Sequence, residues 1–327
     1  MRFVQPFGLS RRQFLSATSL ATGAAILGGV GPLARRVLAK EEAQSLVDVM
    51  RNGAAEAKLT VETLRGGVHA IIGSGGNIGV LAGPDGKLLV DGGLAGSKAK
   101  IQAELMKLGA EPVKHLVNTH WHFDHTDGNQ WLHDDAGATI IAHENTVKHL
   151  THETRVEPWN FTFPPVATGA VPTEIVQKDH AIKLNGTTVA VEYYGAPGHT
   201  DGDLSAHFPD ADVFHTGDTF WNGHYPFIDY GTGGSIDGTI RACETTLGKV
   251  SDKTILIPGH GPIARKSDLA EFRDMLASIR DAVAKLKKEG KSIEEIVAAK
   301  PTKPFDEKYG GFVITPEHMT RLAYAGA

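Results

Sequence analysis

The chain has 327 residues, 41% of them hydrophobic and 22% charged, with a formal net charge of −5. This is ordinary globular composition, long enough for one large domain or two small ones, and its mild acidity argues against nucleic acid or an anionic membrane as the main partner. The single cysteine, Cys243, excludes an intramolecular disulfide and is expected to be buried in a helix around residues 235–247.

Ser10-Arg11-Arg12-Gln13-Phe14-Leu15 resembles the twin-arginine export signal. A weakly hydrophobic run follows from Leu20 to Val30, and Val37-Leu38-Ala39 supplies a small-residue cleavage site. Residues 1–39 therefore read as a signal peptide. The mature chain is expected to start near Lys40, in the periplasm, with the twin-arginine export machinery as a partner. The run is too short and too rich in glycine to span a bilayer comfortably, so no membrane span is expected in the mature form.

Glu41 to Lys58 has helical charge and apolar spacing. Short β runs follow at Val61–Leu64, Val68–Ile72, Asn77–Ala82 and Lys87–Val90, the last two separated by the turn Pro84-Asp85-Gly86. Ser97–Leu108 reads as a helix and Lys114–Val117 as an apolar strand. Further strands are expected near Thr139–Ala142, Thr187–Tyr193, Leu204–Phe208, Val213–His215 and Thr254–Ile257, with a long charged helix from Lys266 to Lys288. Strands interleaved with helices imply layered sheets covered by helices, an α/β fold. With no repeat and no long linker, residues 40–327 are expected to form one domain.

The chemistry concentrates in Asn118-Thr119-His120-Trp121-His122-Phe123-Asp124-His125-Thr126-Asp127-Gly128-Asn129, directly after an expected strand. Alternate strand residues share a face, so His120 and His122 fall together, and a turn beyond them brings Asp124 and His125 to a second centre. Imidazole and carboxylate suit zinc, where an all-oxygen set would suit magnesium. Gly198-His199, Asp218 in His215-Thr216-Gly217-Asp218-Thr219, and His260 in Pro258-Gly259-His260-Gly261 each follow an expected strand end beside a glycine.

Together these stretches resemble the five motifs of the metallo-β-lactamase superfamily over about residues 60–265, with Val90-Asp91-Gly92-Gly93 matching the first. The resemblance implies an αββα sandwich with two zinc ions at one edge of the two sheets. Carried over residue by residue, it implies that His120, His122 and His199 hold one zinc. Asp124, His125 and His260 would hold the other, and Asp218 would bridge them. Hydroxide held by the metals would be the nucleophile, oriented by Asp124, with Asp91 supporting the site. The G-x-S-x-G elbow is absent, and Cys243 lies far in sequence from any ligand.

Two departures narrow the activity. Metallo-β-lactamases generally carry Cys or Ser where this chain has Asp218; a bridging aspartate resembles the thioesterases, lactonases, organophosphate hydrolases and hydrolytic dehalogenases of the wider family. The di-iron oxidoreductases of the fold resemble H-x-E-x-D-H, whereas His122 stands at the third position here. The leader, the chain length and the bridging aspartate together resemble the chlorothalonil-type hydrolytic dehalogenases. The expected function is hydrolysis, with β-lactam hydrolysis as the alternative within enzymes and a di-iron redox enzyme or a non-catalytic metal-binding protein as alternatives of another class.

Two aromatic stretches, Glu157–Pro165 and Thr219–Phe227, are expected to wall the site, with Trp159, Phe161 and Trp221 as apolar walls and Asn222 and His224 as polar handles. Neither stretch contains lysine or arginine. A carboxylate substrate wants a cationic clamp, so a small, neutral, aromatic substrate is expected. The alternative is that these stretches serve packing or a homodimer surface.

Overall fold

The computed structural model describes residues 45–327. The expected signal peptide, and the first residues of the helix expected at 41–58, lie outside them. Helix α1 (Leu46–Gly53) begins where Ser45 caps it, Oγ accepting the N–H of Asp48 at 3.1 Å, and continues only as a 3-10 turn over Ala54–Glu56.

Strands β1 (Thr60–Thr63), β2 (Val68–Ile72), β3 (Ile78–Gly83) and β4 (Gly86–Val90) form an antiparallel meander. Helix α2 (Lys98–Lys107) returns the chain to β5 (Val113–Val117), parallel to β4. Helices α3 (Phe123–Thr126) and α4 (Asn129–Ala136) lead to β6 (Thr139–His143), parallel to β5. Helix α5 (Glu144–Thr151) precedes a small hairpin of β7 (Thr154–Val156) and β8 (Phe161–Phe163). Strand β9 (Glu174–Val176) then completes a seven-stranded sheet in the order β1-β2-β3-β4-β5-β6-β9.

The second sheet has five strands: β10 (Asp179–Leu184), β11 (Thr187–Tyr193), β12 (Leu204–Phe208), β13 (Val213–His215) and β14 (Ile255–Ile257), with α6 (Ile236–Lys249) between the last two. Helices α7 (Lys266–Lys288), α8 (Ile293–Ala299), α9 (Asp306–Tyr309) and α10 (Pro316–Gly326) finish the chain. The sequence pattern does not anticipate β7, β8, β9 or β10. The first three are three residues each, too short to show a period of two.

The strand pleat sorts the core into layers. In β4, Leu88 and Val90 join the cluster between the two sheets, while Leu89 points out to pack with Ile101 and Leu105 of α2. In the second sheet Val213, Ile255 and Ile257 face inward, while Phe214 and Leu256 face out to Cys243 of α6 and Phe272 of α7. Both sheets are thus covered on both faces, which explains the unbroken apolar runs of the central strands. The fold is an αββα sandwich. Among the described residues no helix is long and apolar enough to cross a membrane.

Beyond α7, the chain returns over the loop that follows β13. Tyr225, fully buried, shares its single hydroxyl hydrogen between Thr302 O at 3.1 Å and Asp306 Oδ1 at 3.0 Å, and donates its N–H to Tyr309 O at 3.0 Å. Tyr225→Phe deprives Thr302 O and Asp306 Oδ1 of this donor and is expected to cost about 1–2 kcal/mol in a urea titration. An unchanged midpoint would show that the C-terminal segment docks without this anchor.

Candidate metal centre

Every sequence-predicted ligand follows the C-terminal end of a strand, and those ends share one edge of the sandwich. Asp91 follows β4 and takes the left-handed backbone conformation, φ 67°, which turns its carboxylate back toward β5. There it accepts from Thr119 N and Thr119 Oγ1, both at 2.8 Å, and from His125 Nδ1 at 2.7 Å. Asp91 is wholly buried, and these three donors satisfy it.

His120, His122, His199 and Asp218 bring ligand atoms into one buried group, and Asp124, His125 and His260 into a second. The hydrogen bonds behind the rings decide which nitrogen carries the proton. His122 Nε2 faces Asp229 Oδ2 at 3.1 Å and His199 Nδ1 faces Phe227 O at 2.8 Å. Both partners only accept, so those nitrogens hold the hydrogens. Thr119 Oγ1 already donates to Asp91, so at 3.0 Å it accepts from His120 Nδ1.

What remains are three bare lone pairs aimed at one point. His122 Nδ1 lies 2.9 Å from His199 Nε2 and 3.0 Å from His120 Nε2. Neutral imidazoles in these tautomers cannot hydrogen-bond to each other, and burial keeps His120 and His122 neutral by lowering their basicity. Such convergence is unfavourable without a cation and fits a divalent metal ion.

The second group carries its charge in carboxylates. Asp218 Oδ1 lies 3.1 Å from His125 Nε2, yet both atoms are buried without a hydrogen-bond partner. Asp218 Oδ2 is 3.4 Å from His260, 3.5 Å from His199 and 3.8 Å from His120, so one carboxylate reaches both groups. Asp124 Oδ2 sits 3.3 Å from His260 Nε2. Burial opposes protonation of His260, but the Asp218 and Asp124 carboxylates prevail and push its pKa up to about 9. The same carboxylates, with Asp91, raise His125. A cation held by these groups would compete with those protons, so metal uptake is expected to release protons.

The glycine beside His260 is a steric requirement. A methyl group at Gly259 would collide with Asp218 Oδ1 and with the Gly217 backbone.

A cavity opens on the centre, lined on the metal side by His122, Asp124, His199, Asp218 and His260 and elsewhere by apolar side chains. Of the expected wall residues, Trp159 and Trp221 line it. Phe161, Asn222 and His224 are not among the lining residues, which corrects the sequence reading. Phe161 turns onto Phe163, with ring centroids 4.6 Å apart, because β7 and β8 pair as a hairpin. The Asn222 side chain is spent on Pro262 O at 3.0 Å, and His224 packs against Phe312 at 4.5 Å. Phe227, at the end of the second expected stretch, does line the cavity; sequence reasoning missed Asp229 and Thr119 behind the rings, and Leu46, Met50 and Phe312–Ile314 in the wall. Asp229 lies 107 residues from His122, and no local pattern announces such a pairing.

An αββα sandwich with buried imidazole and carboxylate groups converging at one edge of its sheets defines a metallo-hydrolase. The family described as Metallo-beta-lactamase superfamily matches residues 71–269, and the chain belongs to it. Its members bind divalent metal ions, and this chain is a hydrolase of that superfamily. It is 27% identical over 179 residues to a probable metallo-hydrolase of Methanocaldococcus jannaschii, covering 54% of this chain and 83% of that protein. It is 28% identical over 179 residues to a hydroxyacylglutathione hydrolase of a Polaromonas species, covering 52% of this chain but only 59% of that enzyme. Among solved structures, a double mutant of a sec-alkyl sulfatase aligns with a TM-score of 0.64 at 15% identity, over 96% of this chain and 59% of that one. The DIM-1 metallo-β-lactamase aligns with a TM-score of 0.53 at 19% identity, over 67% of this chain and 97% of that one. At these identities the structural likenesses establish the fold alone.

Two substitutions probe the centre. Asp229→Ala frees the His122 ring and is expected to weaken metal binding by about 10–100-fold in chelator competition. Asp218→Ala removes the carboxylate common to both groups and is expected to empty the Asp124/His125/His260 group first, with loss of most activity. Full metal content in Asp218→Ala would contradict its bridging position.

Proposed function

We propose that the chain is a zinc-dependent hydrolase acting on a small, neutral, aromatic electrophile: an ester, a lactone, or an aryl halide opened by hydrolytic dehalogenation. Two zinc ions suit the donor set, one held by His120, His122 and His199, the other by Asp124, His125 and His260, with Asp218 between them. Bound zinc would polarise the electrophile and activate water at neutral pH. Asp124, lining the cavity, would orient the attacking water; Asp91, out of reach of substrate, would hold His125 and Thr119 in place.

The observation that carries the substrate class is the cavity lining. Outside the ligand residues its side chains are hydrophobic and none is charged, with Trp159, Trp221 and Phe227 among them and no lysine or arginine. A substrate carboxylate buried there without a partner would lose about 3 kcal/mol or more. At about 1.4 kcal/mol per decade that is roughly a hundredfold in kcat/KM.

A panel of matched neutral and anionic substrates on the zinc-loaded chain tests this. Neutral aromatic esters, lactones or activated aryl halides should be turned over faster than penicillins and carbapenems, and removing the metal with a chelator should abolish turnover. If a carboxylate-bearing β-lactam is the faster substrate, the β-lactamase reading replaces this one.

We also infer export to the periplasm through the twin-arginine pathway, on the strength of Ser10-Arg11-Arg12-Gln13-Phe14-Leu15. Replacing both Arg11 and Arg12 by lysine should leave the precursor in the cytoplasm, since such a signal depends on the guanidinium pair rather than on charge alone. Normal accumulation of mature protein in the periplasm would refute it.

A further inference from the structure

The residues matched by the family, 71–269, supply all the candidate metal ligands but only part of the cavity. Its roof comes from outside that range: Leu46 and Met50 of α1 on one side, Phe312, Val313 and Ile314 on the other. We propose that these two flanking segments set which substrates reach the metal centre, with Met50 and Phe312 as specificity-determining residues for an uncharged substrate bearing a compact apolar group opposite its scissile bond. The inference deepens the hydrolase reading above and rests on it for the substrate's chemistry.

Each segment is pinned by polar contacts to the part of the chain that carries the ligands. Arg51 of α1 forms a two-pronged ion pair with Asp127, Nε to Oδ2 at 2.8 Å and Nη2 to Oδ1 at 2.7 Å, and its guanidinium lies 5.3 Å from the Phe123 ring centroid. Asp127 and Phe123 flank Asp124 and His125, so α1 is fastened to the metal-binding turn itself, with Met50 buried against the core.

The C-terminal segment is fastened to the loop that follows Asp218. Tyr225 holds Thr302, Asp306 and Tyr309, and Tyr230 Oη donates to Leu322 O at 2.8 Å. Between those anchors Phe312 is laid beside the site, its ring centroid 6.1 Å from both Trp221 and His260. These are the contacts of a fixed wall.

The resulting cavity is polarised. Its metal side presents imidazoles and carboxylates; its roof is thioether, aromatic and aliphatic, with nothing to pair a charge. The space it leaves over the metal side is narrow, about 30 Å³. The size of substrate that fits is therefore set by how far the roof side chains reach over the metal side. Their volume, more than the chemistry of the metals, sets the size limit.

The test uses the zinc-loaded chain and neutral p-nitrophenyl esters from acetate to octanoate, with variants that move the roof in opposite directions. Phe312→Ala and Met50→Ala should raise the octanoate-to-acetate ratio of kcat/KM by about tenfold, the scale of a methylene or two in an apolar pocket. Val313→Trp should lower it. Binding of the neutral fluorescent probe N-phenyl-1-naphthylamine, followed on metal-loaded and metal-free protein, gives a readout independent of turnover. It should tighten in Phe312→Ala and weaken in Val313→Trp. Wild-type ratios and wild-type probe affinity in all three variants would overturn the proposal. If the wild type hydrolyses none of the esters, the neutral-ester reading fails instead, and probe binding alone decides the roof.

Discussion

A carboxylate with no access to water must find its hydrogen-bond donors within the protein, and Asp91 finds all of its donors at the site it supports. One oxygen takes the Thr119 N–H; the other takes the Thr119 hydroxyl and His125 Nδ1. That single side chain joins the end of β4 to the end of β5 and fixes the His125 tautomer. Through the Thr119 hydroxyl it also directs His120. Removing it would release two imidazoles and expose a buried turn to unsatisfied donors, which is why the left-handed backbone at Asp91 is tolerated.

The rest of the centre repeats this logic at other strand ends. His199 is oriented by the Phe227 carbonyl, His122 by Asp229, and the Asp229 N–H in turn donates to His199 O at 2.9 Å. The segment around 227–229 therefore clamps two rings at once. Orientation by remote partners leaves each ring with its lone pair inward and little freedom to turn away. The protein thus bears the cost of gathering like groups before any ion arrives, and metal binding should be tight and should stabilise the fold.

The same arrangement divides labour within the chain. Strand ends, which the sheet ladder holds rigidly, carry the groups that must be placed to within fractions of an ångström. The flanking segments, tied down by Arg51 and Tyr225, carry side chains whose volume matters more than their exact angle. Relatives that share the ligand-bearing range can therefore differ widely in what they act on, since sites are grafted on folds.

Much of this was legible in the amino-acid order because it is local. Strands β2, β11 and β12 and helix α7 fall where the pattern places them, since their periodicities run over enough residues to be distinctive. The H-x-H-x-D-H run and the glycine-flanked His199, Asp218 and His260 could be read as a set because ligand chemistry allows few residue types. The tertiary structure alone decided which nitrogen of each histidine faces inward, since that depends on Asp229, Phe227 and Thr119, each brought in by folding. It alone left Phe161, Asn222 and His224 out of the cavity wall and brought Met50 and Phe312 over it, although 262 positions separate these two in the chain. A cavity wall is a property of surfaces that meet in space, and composition along the chain carries no record of which surfaces will meet.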